Sequence, residues 1–239
     1  MTKLTQILLA GAAALSLAFT SVAWTAPASA ASADSNTASV IVAPPTPPAL
    51  ASPLSTDEIA GLLFMREEEK VARDVYLTFY ETWGSQVFSN IARAEQTHMD
   101  AIKTLLDRYG IADPAAGNVI GTFSDLTLQT LYDDLAAQGQ QSLAEALRVG
   151  ALIEEVDIAD LIEELVAVEH SDIQRVYGQL LRGSENHLRA FVSTLERQTG
   201  ETYQPQMLDR ATYDQIINAA SGGGPGQAPG RGGRGRGNH

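Results

Sequence analysis

The chain has 239 residues, a formal net charge of −13 at pH 7 and no cysteine. Without cysteine, disulfide bonds, thiolate metal sites, iron–sulfur clusters and cysteine nucleophiles are excluded. Setting aside Lys3, Asp34 and the three arginines of the C-terminal tail takes the net charge from −13 to −16 for residues 54–220. We therefore expect this segment to bind metal cations, and we expect no nucleic acid as its partner.

The N-terminal part of the chain predicts export. Lys3 precedes an apolar run over 7–23, and Ala28-Ser29-Ala30 supplies the small-residue cleavage pattern, so residues 1–30 predict a signal peptide. An uncleaved membrane anchor is the alternative interpretation. Residues 31–53 are rich in Ala, Ser, Thr and Pro and predict an extended linker. The predicted mature protein is periplasmic or secreted and has no membrane-spanning segment.

Residues 54–220 predict one all-helical domain, because the only prolines there are Pro114 and Pro205 and the apolar residues follow a 3.6-residue period. The pattern predicts four long helices, over 55–83, 86–109, 142–168 and 171–199. Their expected end signals are a Ser55-x-x-Glu58 capping box, Ser85 and Ser171 as N-caps, and Gly110 and Gly200 as stops.

The connections between these helices predict their arrangement. The first and last connections are only a few residues long, whereas the middle one, over 110–141, is long and contains a predicted short helix over 124–138. A further short helix is predicted over 208–218. Two hairpins joined by one long crossover indicate a ferritin-like antiparallel four-helix bundle.

The C-terminal residues 221–239 form a glycine-rich stretch that carries Arg231, Arg234 and Arg236. This composition predicts a disordered tail that solubilises the protein or contacts the cell envelope. Binding of RNA or another polyanion is the alternative interpretation.

Each long helix carries a polar interruption of its apolar stripe close to its midpoint. Glu95 and His98 lie one turn apart on an otherwise apolar face, and such groups are costly to bury unless something satisfies them. Helix midpoints meet at one level in an antiparallel bundle. One layer is therefore predicted to contain Glu69, Glu95, His98, Glu154, Asp157 and His187. Two divalent ions with oxygen and imidazole ligands, iron or manganese, would neutralise its carboxylates.

Other interpretations of the polar layer stay open. In the alternative interpretation, the buried acids pair with arginines in a network that fixes helix register, and the candidates are Arg66, Arg73, Arg93 and Arg189. Tyr76 is expected in the core or hydrogen-bonded to a ligand. Glu68 flanks the apolar stripe of the first helix, and Glu67 falls among its polar positions.

Three segments carry a resemblance to known proteins: REEEKVARDVY at 66–76, ARAEQTHMDAI at 92–102 and GSENHLRAF at 183–191. Together they resemble a ferritin-like family, domain of unknown function 2202, over nearly all of 56–217. This resemblance implies a ferritin-like bundle and no known reaction. A more distant similarity is to the rubrerythrins, which reduce peroxide at di-iron centres. Their first three helix patterns resemble Glu69 with Ala72 and Tyr76, Glu95-x-x-His98, and Glu154-x-x-Asp157.

The fourth helix departs from the rubrerythrin pattern. Ser184-x-x-His187 stands where the resemblance implies a second Glu-x-x-His, so one carboxylate is missing. The chain also lacks a cysteine module, so an enzyme of this kind would need an external electron donor. We expect either a metal-binding protein that reacts with oxygen or peroxide, as a ferroxidase or peroxidase, or a non-catalytic metal-binding or adaptor bundle. Both are compatible with a homodimer.

Overall fold

The computed structural model describes residues 53–219 and shows an all-helical protein. Within that range there are six helices and no strand: α1 Thr56–Trp83, α2 Gln86–Tyr109, α3 Leu126–Gly139, α4 Leu143–Ala167, α5 Ser171–Thr199 and α6 Arg210–Asn218. The all-α prediction is confirmed. The predicted signal peptide, nearly all of the linker and the tail at 221–239 lie outside the described residues. None of these helices combines the length and apolarity that crossing a membrane requires.

Most of the predicted helix ends are confirmed by their capping contacts. Ser55 Oγ accepts a hydrogen bond from the Glu58 amide at 3.1 Å, and Glu58 accepts one in return from the Ser55 amide at 2.9 Å. Gly110 and Gly200 adopt the left-handed conformation that ends α2 and α5. The prediction of Ser171 as an N-cap was wrong. His170 has the extended backbone of the N-cap, and Ser171 already begins the helix.

The long helices contact each other in antiparallel pairs. Between α1 and α2, Phe79 packs edge-on against Phe88. About ten residues away along each helix, Oε2 of Glu69 lies 3.2 Å from Nδ1 of His98. In α4 and α5, Gly150 packs against Phe191, and Asp157 contacts Ser184. In both pairs the residue number rises in one helix as it falls in the other.

The same four helices also contact across the hairpins. Tyr76 of α1 reaches Glu154 of α4 at 2.6 Å, and Glu95 of α2 reaches His187 of α5 at 2.8 Å. Helix α3 packs on α1 and α4, whereas α6 packs on α5. The four long helices therefore enclose a common interior, which the two short helices cover in part.

The polar residues at the helix midpoints divide this interior into two apolar clusters. One cluster holds the C-terminal half of α1, with Tyr76 and Phe79, together with Phe88 and Phe191. The other holds the N-terminal part of α1, with Leu62 and Met65, together with residues such as Ile102, Leu105 and Tyr177. The level between the clusters contains the residues that the sequence predicted as metal ligands.

The long crossover between α2 and α3 is fastened to the outer side of α1. Lys70 Nζ donates to the carbonyl oxygens of Val119 and Thr122 at 2.9 and 3.0 Å, and it pairs with the buried Asp74 at 2.5 Å. Glu67 accepts a hydrogen bond from the Ser124 amide at 3.1 Å. Although Glu67 falls among the polar positions of α1, the crossover buries it.

Candidate metal centre

Glu95 lies between two histidines at the centre of the bundle. Its Oε2 is 2.8 Å from Nδ1 of His98, one turn along the same helix, and its Oε1 is 2.8 Å from Nδ1 of His187 on α5. Glu95 is 1% exposed. The two imidazole rings stack with centroids 5.5 Å apart and planes 30° from parallel. One buried carboxylate thus connects two imidazole nitrogens on different helices.

Two sets of potential metal ligands share this carboxylate. Glu69, Glu95 and His98 form one set, and Glu95, Glu154 and His187 form the other; in each, one ligand atom from every residue lies within 4.8 Å of the others. Glu69 Oε2 is 3.2 Å and Glu154 Oε2 is 3.5 Å from Nδ1 of the histidine in its own set. The structure therefore brings together five of the six residues predicted as ligands.

Asp157, the sixth predicted residue, belongs to neither set. Its Oδ2 accepts a hydrogen bond from Ser184, the residue that stands where a carboxylate was expected on the fourth long helix. Asp157 is 5% exposed, and its Oδ1 has no hydrogen-bond partner among the described residues. Ser184 thus fixes one oxygen of Asp157 and leaves the other without a partner. The role of Asp157 as a ligand stays a prediction.

Tyr76 positions one of the candidate ligands. Its hydroxyl donates to Oε1 of Glu154 at 2.6 Å, and the tyrosine is fully buried. Because Oε1 is occupied in this way, Oε2 of Glu154 is the oxygen that faces His187. Tyr76 therefore lies in the core, as one interpretation predicted, and its hydroxyl also bonds to a candidate ligand.

The buried charges shift the protonation of these groups in opposite directions. Burial raises the pKa of Glu154 to about 8 and that of Asp157 to about 7, and the charge of Glu95 adds to both shifts. Burial also favours the protonated form of Glu95, yet the charges and hydrogen bonds of His187 and His98 outweigh it and hold the Glu95 pKa below its usual range.

The pKa values of both histidines are raised by the nearby carboxylates. Burial lowers the pKa of each imidazole, but neighbouring carboxylates prevail, with Glu69 acting most strongly on His98 and Glu95 on His187. The resulting pKa values are about 12 for His98 and about 10 for His187. An imidazole must lose its Nδ1 proton to bind a metal through that atom. Metal binding here would therefore release protons.

The donor set fits a hard or borderline divalent ion. Three carboxylates and two imidazoles lie together inside the bundle, and Glu69 Oε1 has no hydrogen-bond partner among the described residues. Oxygen and imidazole ligands suit iron and manganese. The arginines considered as alternative partners for the acids contact other groups: Asp113 for Arg66, Asp74 for Arg73, Asn90 for Arg93 and the Ile216 carbonyl for Arg189.

Two further buried acids on α4 were not recognised from the sequence. Asp160 is 4% exposed and Glu155 is fully buried. The period of the apolar stripe marked one face of α4, but α3 and the segment before α6 also pack against this helix. The run of small and apolar residues around Glu155, which leaves no clearly polar face, was the available signal.

Comparison with known proteins identifies relatives without an assigned activity. Residues 58–220 match the family described as "Uncharacterized protein domain (DUF2202)". Uncharacterized protein MJ0754 of Methanocaldococcus jannaschii is 48% identical over 169 residues, which cover 71% of this chain and 91% of the relative. The crystal structure of hypothetical protein MJ0754 from Methanococcus jannaschii aligns with a TM-score of 0.69 at 45% identity, covering 76% of this chain and 100% of that one.

Proposed function

The chain belongs to the family of uncharacterized DUF2202 domains, and we propose that it is an exported ferritin-like protein that binds two iron or manganese ions inside its helical bundle. The observation that carries this proposal is the shared Glu95, which belongs to both sets of potential ligands. A carboxylate with one oxygen facing each set is suited to bridge two metal ions.

The course of the chain supports the ferritin-like assignment. Helix α1 runs antiparallel to α2 and to α4, and α5 runs antiparallel to α4 and α2, so α2 and α4 are parallel. Parallel second and third long helices require a connection that returns along the bundle, and residues 110–142 with α3 provide it. Ferritin-like bundles have this single long crossover.

Each ion would have its own terminal ligands. Glu69 and His98 would hold one ion, Glu154 and His187 the other, and Tyr76 would keep Glu154 oriented. Four acids, Asp157 among them, cannot all be ionised in a dry layer, so two divalent cations would remove most of the electrostatic cost of burying them.

Redox chemistry with oxygen or peroxide is part of the proposal. Bound Fe(II) would supply the electrons, and an external donor would be needed for repeated turnover because the chain has no cysteine-based redox module. The side chains of His98 and His187 are each 12% exposed, whereas Glu69 and Glu95 are 1% exposed. The chain thus keeps the carboxylates dry and leaves one edge of the centre within reach of a small molecule.

A bundle without catalysis is the second candidate, and a specific observation favours it. Glu95 lies 2.8 Å from Nδ1 of both histidines, so these ion pairs already offset part of its charge. Ser184 also stands in place of one expected carboxylate. Such a bundle would sequester metal, or the polar network would fix helix register alone.

Metal content tests the proposal directly. The full chain, loaded anaerobically with Fe(II) or Mn(II) and desalted, should retain about two ions per chain by mass spectrometry. Glu95→Ala should lose both because it removes the shared ligand. Glu196→Ala changes an exposed acid on α5 and should retain both. Wild-type protein that retains neither metal would reject the proposal.

Protein that retains metal then separates the two candidates. Mixing the Fe(II)-loaded chain with oxygen or peroxide, with absorbance followed in a stopped-flow instrument, should show oxidation faster than that of free Fe(II). Stable metal binding without any acceleration would support the non-catalytic bundle.

A further inference from the structure

A line of acidic residues leads away from the candidate metal centre toward the end of the bundle where α1 begins. Glu68 of α1 is 4% exposed, next to Glu69 in the chain, and Asp157 and Asp160 of α4 are equally inaccessible. Neither carboxylate oxygen of Glu68 has a hydrogen-bond partner among the described residues. Asp157, Asp160 and Glu164 recur at i, i+3 and i+7 along α4, so they share one face of that helix. The charges of Asp157 and Asp160 act on the Glu68 carboxyl, which places Glu68 on the same side of the bundle.

The line continues to the protein surface through Glu164, one turn beyond Asp160 on α4. Glu164 is half-buried, and its pKa is raised by burial and then by the charges of Asp160, Glu163 and Asp57. Glu163 and Asp57 are exposed. Acidic groups thus follow one another without interruption from solvent to the interior.

A fully buried hydroxyl faces the same line. Tyr177 Oη of α5 has no hydrogen-bond partner among the described residues, and the strongest charges acting on it are those of Glu164 and Glu68. A Cβ at Gly61 would lie 2.3 Å from Glu164 Oε2 and 3.4 Å from Tyr177 Oη. The missing side chain of Gly61 therefore leaves room for the Glu164 carboxylate, which packs against α1 beside the Tyr177 hydroxyl.

The chemistry of this line favours a cation. A buried carboxyl or hydroxyl without a partner costs free energy, and apolar residues of similar size would be the more stable choice. Neither oxygen of Glu68 has a hydrogen-bond partner among the described residues, and the charges that act on the Glu164 pKa are all acidic. Oxygen ligands alone, from carboxylates and one phenol, suit a hard divalent ion that passes through or pauses there.

We propose that Asp57, Glu163, Glu164, Glu68 and Asp157 form the route by which divalent cations enter the metal centre, with Gly61 and Tyr177 at its narrow part. This inference rests on the proposed function, because it assumes that the centre takes up metal. The competing entrance is the edge between α2 and α5, where His98 and His187 reach solvent.

Uptake kinetics test the route with two changes of different kind. Glu164→Gln removes the charge of this side chain, whereas Gly61→Ala displaces the Glu164 carboxylate without changing its charge. The probe is Co(II), mixed with the metal-free full chain in a stopped-flow instrument, and its visible absorption reports binding by imidazole and carboxylate. Glu196→Gln, an exposed acid on α5, is the control for loss of one negative charge.

Both route variants should take up Co(II) about three- to ten-fold more slowly than wild type, with the same final absorption, because only access is changed. The wild-type rate should fall as ionic strength rises, and Glu164→Gln should weaken that dependence. The control should match wild type.

An unchanged uptake rate in either route variant would overturn the route and direct attention to the α2–α5 edge. A reduced final absorption would also overturn it, since these residues would then shape the centre itself. If wild-type protein develops no Co(II) band at all, the proposed function fails first, and the inference fails with it.

Discussion

Gly183 of α5 lies directly against the imidazole of His98 on α2. A Cβ at residue 183 would be 2.5 Å from Nε2 and 2.6 Å from Cε1 of that ring, closer than any side chain tolerates. The opposite ring nitrogen, Nδ1, faces Glu69 and Glu95. The absence of a side chain at 183 therefore allows His98 to sit in the ligand set.

Replacing this glycine with alanine should weaken metal binding, although alanine has the higher helix propensity. We expect Gly183→Ala to displace the His98 ring and lower the metal content from about two ions to about one. Gly178→Ala is the matched control, because its Cβ would meet nothing nearer than 3.8 Å. The control should gain up to about 1 kcal/mol in the free energy of unfolding from helix propensity alone. Mass spectrometry and urea denaturation measure the two effects, and equal metal content in both variants would contradict the prediction.

The two ligand sets should fail independently. His98→Ala removes a ligand from one set and His187→Ala from the other, so each variant should keep about one metal ion per chain, whereas Glu95→Ala should keep none. His170, which pairs with Glu58 outside the layer, provides a matched histidine control, and His170→Ala should keep both ions. The number of metal ions per chain, measured by mass spectrometry after anaerobic loading, tests this prediction. Loss of both ions in either single histidine variant would contradict the prediction, because it would show that the two sites do not bind metal independently.

A carboxylate far from the metal centre, that of Glu58, should make the free energy of unfolding depend on pH in the acid range. Burial raises the pKa of Glu58, but hydrogen bonds from the amides of Ser55, His170 and Glu169 and from the His170 ring lower it to about 2. A lowered folded-state pKa stabilises the protein above the ordinary value of 4.5 and loses that contribution as pH falls toward 2.

We therefore expect Glu58→Gln to cost about 2 kcal/mol at pH 6, the amount expected for charge-assisted hydrogen bonds. The difference from wild type should shrink between pH 4.5 and pH 2. Urea denaturation at several pH values measures it, with Glu81→Gln, an exposed acid on the same helix, as control. A difference that stays constant down to pH 2 would rule out this linkage.

The helices and the polar layer were predictable from the sequence because both depend on local periodicity. Glu69, Glu95, Glu154 and His187 come together as expected, since antiparallel helices joined by short loops bring their midpoints to one level. Burial of Glu67 and Lys70 was not predictable in this way, because it depends on where the 110–125 crossover lies. The hydrogen bond from Ser184 to Asp157 also depends on a contact between helices that spacing alone does not specify.

Glu155 stabilises the segment that connects α5 to α6. This fully buried carboxylate accepts hydrogen bonds from the Tyr203 hydroxyl at 2.6 Å and from the amides of Met207 and Leu208, both at 2.8 Å. A glutamine in its place would direct an NH₂ group at some of these donors. One or more buried amides would then lose their acceptor.

We expect Glu155→Gln to lower the free energy of unfolding by about 2–3 kcal/mol, because buried donors lose a charged acceptor. Amide hydrogen exchange of Met207 and Leu208 should accelerate, whereas metal content should not change, because Glu155 belongs to neither ligand set. Glu163→Gln, an exposed acid on the same helix, should leave both stability and exchange as in wild type. Slow exchange of these two amides in Glu155→Gln would mean that the segment is held by its apolar contacts, with Tyr203 packed against Tyr213, rather than by the carboxylate.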